Sequence, residues 1–170
     1  GAWKDMEKAV KMGKVRALGI SNFDANDEVW NTIMDSATIK PAVLQMECHP
    51  YAQRLEMRKK AAAAGIQVEC WFPLGGAMSN GALLKDPVIK KIAEAHGKSP
   101  AQIILRWHIQ EGFSVIPGAT NPDYIKENIQ IFDFALSDEE MQQMRSLNKE
   151  QRFFNMPEEG VRRMVRENRL

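Results

Sequence analysis

The chain has 170 residues, of which 44% are hydrophobic and 26% charged, and its formal net charge is +1. That length suffices for one domain with a buried core, and the composition excludes a disordered chain. The near-zero charge gives no reason to expect a nucleic-acid or membrane partner, and no apolar run is long enough to span a bilayer.

The start, Gly1-Ala2-Trp3-Lys4-Asp5, does not read as a signal peptide and carries no initiator Met, so a true start upstream is expected. Residues 2–12 predict a helix with Trp3, Met6, Ala9 and Val10 on one face, closed by Gly13. A strand at 15–20 follows and ends on two small polar side chains, Ser21 and Asn22. Residues 25–36 predict a helix with Val29, Trp30, Ile33 and Met34 as its apolar stripe. Strand 42–47, helix 53–64 and strand 67–72 come next, then a Gly- and Ser-rich loop from Pro73 to Ala82. Asp86-Pro87 opens a helix that stops at Gly97, and Ser99-Pro100-Ala101-Gln102 opens another with a capping box, ended by Gly112. Strand 113–117, a helix from Asn121-Pro122 to about Ile131, and a helix opened by Ser137-Asp138-Glu139-Glu140 complete the series. The tail after Asn148 is polar and basic, with Phe153, Phe154 and Met156 as docking candidates. Strands alternate with helices over connections too long for hairpins, so the fold class is α/β with a parallel sheet.

In such sheets ligands sit at the carboxyl ends of the strands. Ser21 and Asn22 stand there, where a hydroxyl and an amide can read a neutral polar ligand or simply cap the next helix. Gln45 is a polar side chain amid Val43, Leu44 and Met46, and it needs a hydrogen-bonding partner from protein or ligand. Trp71 offers a flat aromatic surface or a core ring. Asn121 is first an N-cap. The two cysteines, Cys48 and Cys70, sit in no metal-binding spacing; a disulfide between strand ends is open, but free thiols in a reducing cytoplasm are the expectation. His96 and His108 fall in helical patterns and are expected to pack or be solvated, and His49 and Tyr51 are expected to pack in a turn.

These motifs together resemble the C-terminal half of an aldo-keto reductase. The resemblance is carried by Gly-Lys-Val-Arg-Ala-Leu-Gly-Ile-Ser-Asn-Phe at 13–23, Gln-Met-Glu-Cys-His-Pro-Tyr at 45–51, Pro73-Leu74-Gly75, and Val115-Ile116-Pro117 through Glu127-Asn128. It covers roughly residues 2–148, in order. It implies a parallel (β/α)8 TIM barrel, of which this chain would hold strands five to eight and their helices. Residues 1–148 would be the half-barrel, and 149–170 a tail or substrate loop.

The resemblance also implies a nicotinamide cofactor, NADPH or NADH, and a small aldehyde or ketone as substrate. Ser21, Asn22 and Gln45 would hold the nicotinamide carboxamide, and Trp71 would stack on the ring. Leu74 would line the pyrophosphate, with Thr120, Glu127 and Asn128 near the adenosine. The family's Tyr, Lys, Asp and His tetrad lies before residue 2 and is absent here, so no catalytic residue is nominated and this chain alone is expected to be inactive. Members that prefer NADPH commonly carry Lys where Gly118 stands and Arg where Tyr124 stands. Their absence, beside Asp123 and Glu127, points to tolerance of NADH, with Lys126 the cation that would oppose it.

Two other readings stand beside this one. A half-barrel that binds nucleotide without catalysis would pair with its missing half, a copy of itself or another chain, because its strand edges would be open. Arg162, Arg163, Arg166 and Arg169 suit a solvated terminal helix better than a nucleic-acid site.

Overall fold

The computed structural model describes residues 1–24 and 27–154. Helix α1 (Ala2–Lys11) precedes strand β1 (Gly19–Ser21), followed by α2 (Asp27–Ser36), β2 (Val43–Glu47), α3 (Leu55–Ala63) and β3 (Gln67–Trp71). Then come α4 (Pro87–His96), α5 (Pro100–Gln110), β4 (Ser114–Val115), α6 (Pro122–Ile129) and α7 (Asp138–Ser146). The strands form one sheet in the order β1-β2-β3-β4, and each neighbouring pair is parallel. Parallel neighbours need crossover connections, and the intervening helices supply them. The parallel α/β class read from the sequence is therefore the observed one.

Alternation along the strands divides the sheet into two faces. Leu44, Met46, Cys48, Val68 and Cys70 are buried against Trp30 and Ile33 of α2 and Ala61 of α3. A second core joins α4, α5 and α7 through Ile89, Ile92, Ile103, Ile104, Trp107, Met141 and Met144. Helix starts follow their capping residues. Asp86 accepts from the backbone N–H groups of Val88 and Ile89, and Ser99 and Ser137 each form a reciprocal capping box, with Gln102 and Glu140.

Several expected boundaries shrink. The first strand pairs only over Gly19–Ser21, and the last only over Ser114–Val115. Both are edge strands with a single neighbour, and the β1 ladder starts opposite Val43, the first residue of β2. Val15 and Ala17 consequently lie exposed outside the strand. Helix α3 begins at Leu55 rather than residue 53, because Arg54 adopts a left-handed conformation with φ 54°. Met6 is not on the packed face of α1. Glu7 is, and its Oε1 accepts from the backbone N–H groups of Thr38 and Ile39 at 2.7 and 2.9 Å.

Candidate functional site

The strand register aligns four polar side chains in one row across the sheet. Ser21 pairs with Gln45, Gln45 with Glu69, and Glu69 with Ser114. Register partners in a parallel sheet point to the same side, here the face away from the helices. Gln45 Nε2 donates to Glu69 Oε1 at 2.7 Å, and Ser114 Oγ donates to Glu69 Oε2 at 3.0 Å. The partner that Gln45 requires is thus supplied by protein, and its amide oxygen has no hydrogen bond among the described residues.

Asn22 follows β1 with φ 60°, a conformation that Asn tolerates better than most residues. Its backbone N–H donates to Gln45 O at 2.9 Å, which ties the two amide-bearing residues together. Its side-chain Oδ1 accepts from the indole Nε1–H of Trp71 at 2.9 Å. Trp71 is half-buried, not a core ring, and it meets Phe72 and Phe154 edge-on at 4.7 and 5.4 Å between centroids. Ser21, Asn22, Gln45 and Trp71 therefore gather at one end of the sheet.

The remaining expected residues line a cleft. A cavity of about 350 Å³ runs from Trp71 past Pro73 and Leu74 to Gly118. Leu74 and Gly118 also line a second cavity of about 920 Å³, whose walls include Thr120, Tyr124, Glu127 and Asn128. Because they share Leu74 and Gly118, the two cavities adjoin one another between Trp71 and Asn128. The chain turns sharply after Leu74 at Gly75, where φ is +82° and a Cβ would lie 2.7 Å from the Ser79 side chain and 3.0 Å from Phe153. Glu127 is engaged by the hydroxyl of Ser99, the cap of α5. Asn121 caps α6, accepting from Asp123 N–H at 2.9 Å.

The start of the tail is fastened over this end of the sheet. Glu47, wholly buried, accepts from the backbone N–H groups of Phe153 and Phe154 at 2.6 and 3.1 Å and from Arg152 Nε at 2.8 Å. His49 Nε2 lies 3.2 Å from the same carboxylate. Burial alone would push its carboxyl up, but the hydrogen bonds from His49, Arg152 and the two amides outweigh it and hold Glu47 at about 2. Phe154 is thereby brought to Trp71. Met156 and the four tail arginines lie outside the described residues.

Tyr51 packs as expected. Its hydroxyl donates to Asp86 Oδ2 at 2.6 Å, and burial with that carboxylate pushes its pKa up to about 12. Cys48, Cys70 and His108 come together on the helix side of the sheet, all buried, with their ligating atoms within 4.8 Å of one another. No spacing rule indicates this meeting, which the parallel pairing of β2 and β3 creates. The cluster has its own internal bonding. Cys48 Sγ points to Gln53 O at 3.8 Å, and the His108 nitrogens face Ile104 O and Cys48 O at 2.8 and 3.1 Å. Complete burial pushes the His108 pKa down to about 4, against the two carbonyl contacts, which act to raise it. Both thiols are unbridged.

Glu69, Ser114 and Glu47 are the site's residues that sequence reasoning missed. The signal was the alternation of Gln67, Glu69 and Trp71 against buried Val68 and Cys70, which puts a carboxylate beside Gln45's strand. No helix among the described residues is long and apolar enough to cross a membrane.

The sequence model of the Aldo/keto reductase family matches residues 1–149. The chain is 45% identical over 157 residues to aldo-keto reductase family 1 member A1 of Bos taurus, covering 89% of this chain and 48% of that protein. It is 44% identical over 158 residues to morphine 6-dehydrogenase of Pseudomonas putida, covering 86% of this chain and 52% of that protein. Among solved structures, a mutant of Gox0644 in complex with NADPH superposes with TM-score 0.81 at 36% identity, covering 94% of this chain and 56% of that one. MGS-M4, an aldo-keto reductase enzyme from a deep-sea metagenome library, superposes with TM-score 0.84 at 33% identity, over 90% and 55% of the two chains. The chain thus spans about half the length of the curated relatives it matches.

Proposed function

The chain belongs to the aldo/keto reductase family, and from that premise we propose that it forms the cofactor half of an NAD(P)H-dependent reductase of small aldehydes or ketones. The observation that carries this reading is the pair of adjoining cavities between Trp71 and Asn128, which share Leu74 and Gly118 and start at the indole that Asn22 anchors. A nicotinamide dinucleotide supplies a hydride when bound. Ser21, Asn22 and Gln45 hold its carboxamide, and Trp71 covers one face of the ring. Leu74 lies along the pyrophosphate, while Thr120, Glu127 and Asn128 hold the adenosine end. A neighbour carrying NADPH supports the choice of cofactor.

The strands present correspond to the fifth to eighth of a barrel in this reading, and the proton-donating Tyr belongs to the half that this chain lacks. The tail from residue 149 acts as a substrate loop, with Phe153 and Phe154 beside Trp71. The protein works in the cytoplasm. NADH serves as well as NADPH, because Gly118 and Tyr124 provide no cation for a 2′-phosphate.

A second reading, a nucleotide-binding half-barrel that does not catalyse, is favoured by one observation. Beyond β4 lies an open apolar cavity of about 610 Å³ walled by Ile125, Ile129 and Phe132, a surface suited to a further half or partner chain. Carbonyl-dependent oxidation of NADPH or NADH by the polypeptide as its source produces it decides between them. Turnover supports the reductase. Cofactor binding without turnover, in a polypeptide of about 19.3 kDa, supports the second reading.

A further inference from the structure

Side-chain amides have two orientations of equal shape and opposite polarity, and only their neighbours choose between them. At this site the neighbours are unambiguous. A carboxylate only accepts, so Gln45 must turn Nε2 toward Glu69 Oε1, 2.7 Å away. An indole N–H only donates, so Asn22 must turn Oδ1 toward Trp71 Nε1, 2.9 Å away. What each amide offers the ligand follows: Gln45 presents an oxygen, and Asn22 presents an NH2 group.

We propose that Glu69 is a positioning residue that locks Gln45 with its amide oxygen toward the ligand, so that the paired amides of Gln45 and Asn22 select a primary carboxamide over a carboxylate. This rests on the cofactor reading above. A primary amide carries one acceptor and one donating NH2, and it satisfies both residues at once. A carboxylate in its place offers only acceptors and meets the Gln45 oxygen head-on.

The lock is held from the other side as well. Ser114 Oγ bonds Glu69 Oε2 at 3.0 Å, so both carboxylate oxygens are engaged and the group does not rotate away. The Asn22 N–H bond to Gln45 O, at 2.9 Å, keeps the two reading groups at fixed spacing. Glu69 itself is held in register between Gln45 and Ser114. Its role is indirect, through Gln45.

The test compares dissociation constants for NADPH and for its analogue with a carboxylate in place of the carboxamide. Both ligands are titrated against the complete protein as its source produces it. The wild type binds the amide far more tightly. Glu69→Met frees Gln45 to turn its NH2 to the carboxylate, and the amide-to-acid ratio falls by about tenfold or more. In a Gln45→Leu background the same substitution leaves the ratio unchanged within about twofold, because the group it acts through is gone. Glu69→Thr gives the same pattern and serves if Glu69→Met does not fold. An undiminished ratio in both Glu69 variants overturns the proposal. So does an equal fall in the Gln45→Leu background, which assigns the effect to the charge of Glu69 alone. A wild type that binds neither ligand contradicts the cofactor reading itself rather than the lock.

Discussion

The indole N–H of Trp71 donates to Asn22 Oδ1 at 2.9 Å, linking the end of β3 to the end of β1 across the intervening β2. An aromatic ring expected to stack on a ligand is thus anchored by the residue expected to read that ligand's amide. Trp71→Phe keeps an aromatic face and removes the donor. The freed Asn22 amide then loses its preferred orientation, and NADPH affinity falls about fivefold, the equivalent of one ordinary hydrogen bond. Equilibrium titration of wild type and variant checks it, and an unchanged affinity would show that the anchor is idle.

Glu47 holds Arg152, Phe153 and Phe154 with a carboxylate whose pKa is held down at about 2, well below the ordinary Glu value. A depressed acid stabilises the fold above its unfolded pKa and loses that contribution as pH falls through its folded one. Glu47→Gln should therefore destabilise the protein by about 3 kcal/mol near neutral pH. The gap to wild type should narrow as pH falls from about 4.5, the ordinary Glu value, to about 2, the value in the fold. Urea unfolding midpoints across that range measure it. A gap that does not change with pH would mean the carboxylate's charge is not what fastens the tail.

Asp86 performs two tasks, capping α4 with Oδ1 and accepting the Tyr51 hydroxyl with Oδ2. Asp86→Ala removes both and should cost about 2–3 kcal/mol, against about 1 kcal/mol for Tyr51→Phe. Because the two residues share one bond, the double variant should be less destabilised than the sum of the singles. Additive losses in thermal or urea unfolding would contradict a shared bond.

A Cβ at Gly118 would meet nothing within 4 Å, and Tyr124 is 60% exposed, so larger or charged side chains fit at both positions. Gly118→Lys with Tyr124→Arg should raise the preference for NADPH over NADH by about tenfold or more, through charged hydrogen bonds to the 2′-phosphate. Side-by-side dissociation constants test it. Strong NADPH selectivity already present in the wild type would refute the expectation of NADH tolerance.

Much of the fold was legible because it is written locally. Asp86-Pro87, Ser99-Pro100 and Ser137 with Glu140 mark helix starts by a mechanism that acts within four residues, and those starts fall where expected. The edge strands were harder, since Val15 and Ala17 are apolar yet have no neighbouring strand to pair with. Glu7 also misleads, as its burial depends on the backbone of residues 38 and 39, far away in sequence. Ser21, Asn22 and Trp71 stood out because polar or aromatic groups mark the ends of strands, and Gln45 because it is polar amid Val43, Leu44 and Met46. Glu69 did not, because its meaning is set by register: only the pairing of β2 with β3 places its carboxylate against the Gln45 amide. The meeting of Cys48, Cys70 and His108 is hidden for the same reason.

The most direct test of the account is a titration of the protein with NADPH and NADH, followed by tryptophan fluorescence. The account predicts saturable quenching by both cofactors, much of it lost in Trp71→Phe, because Trp71 covers the nicotinamide ring. No saturable response to either cofactor, with the protein folded, would contradict a dinucleotide site between Trp71 and Asn128.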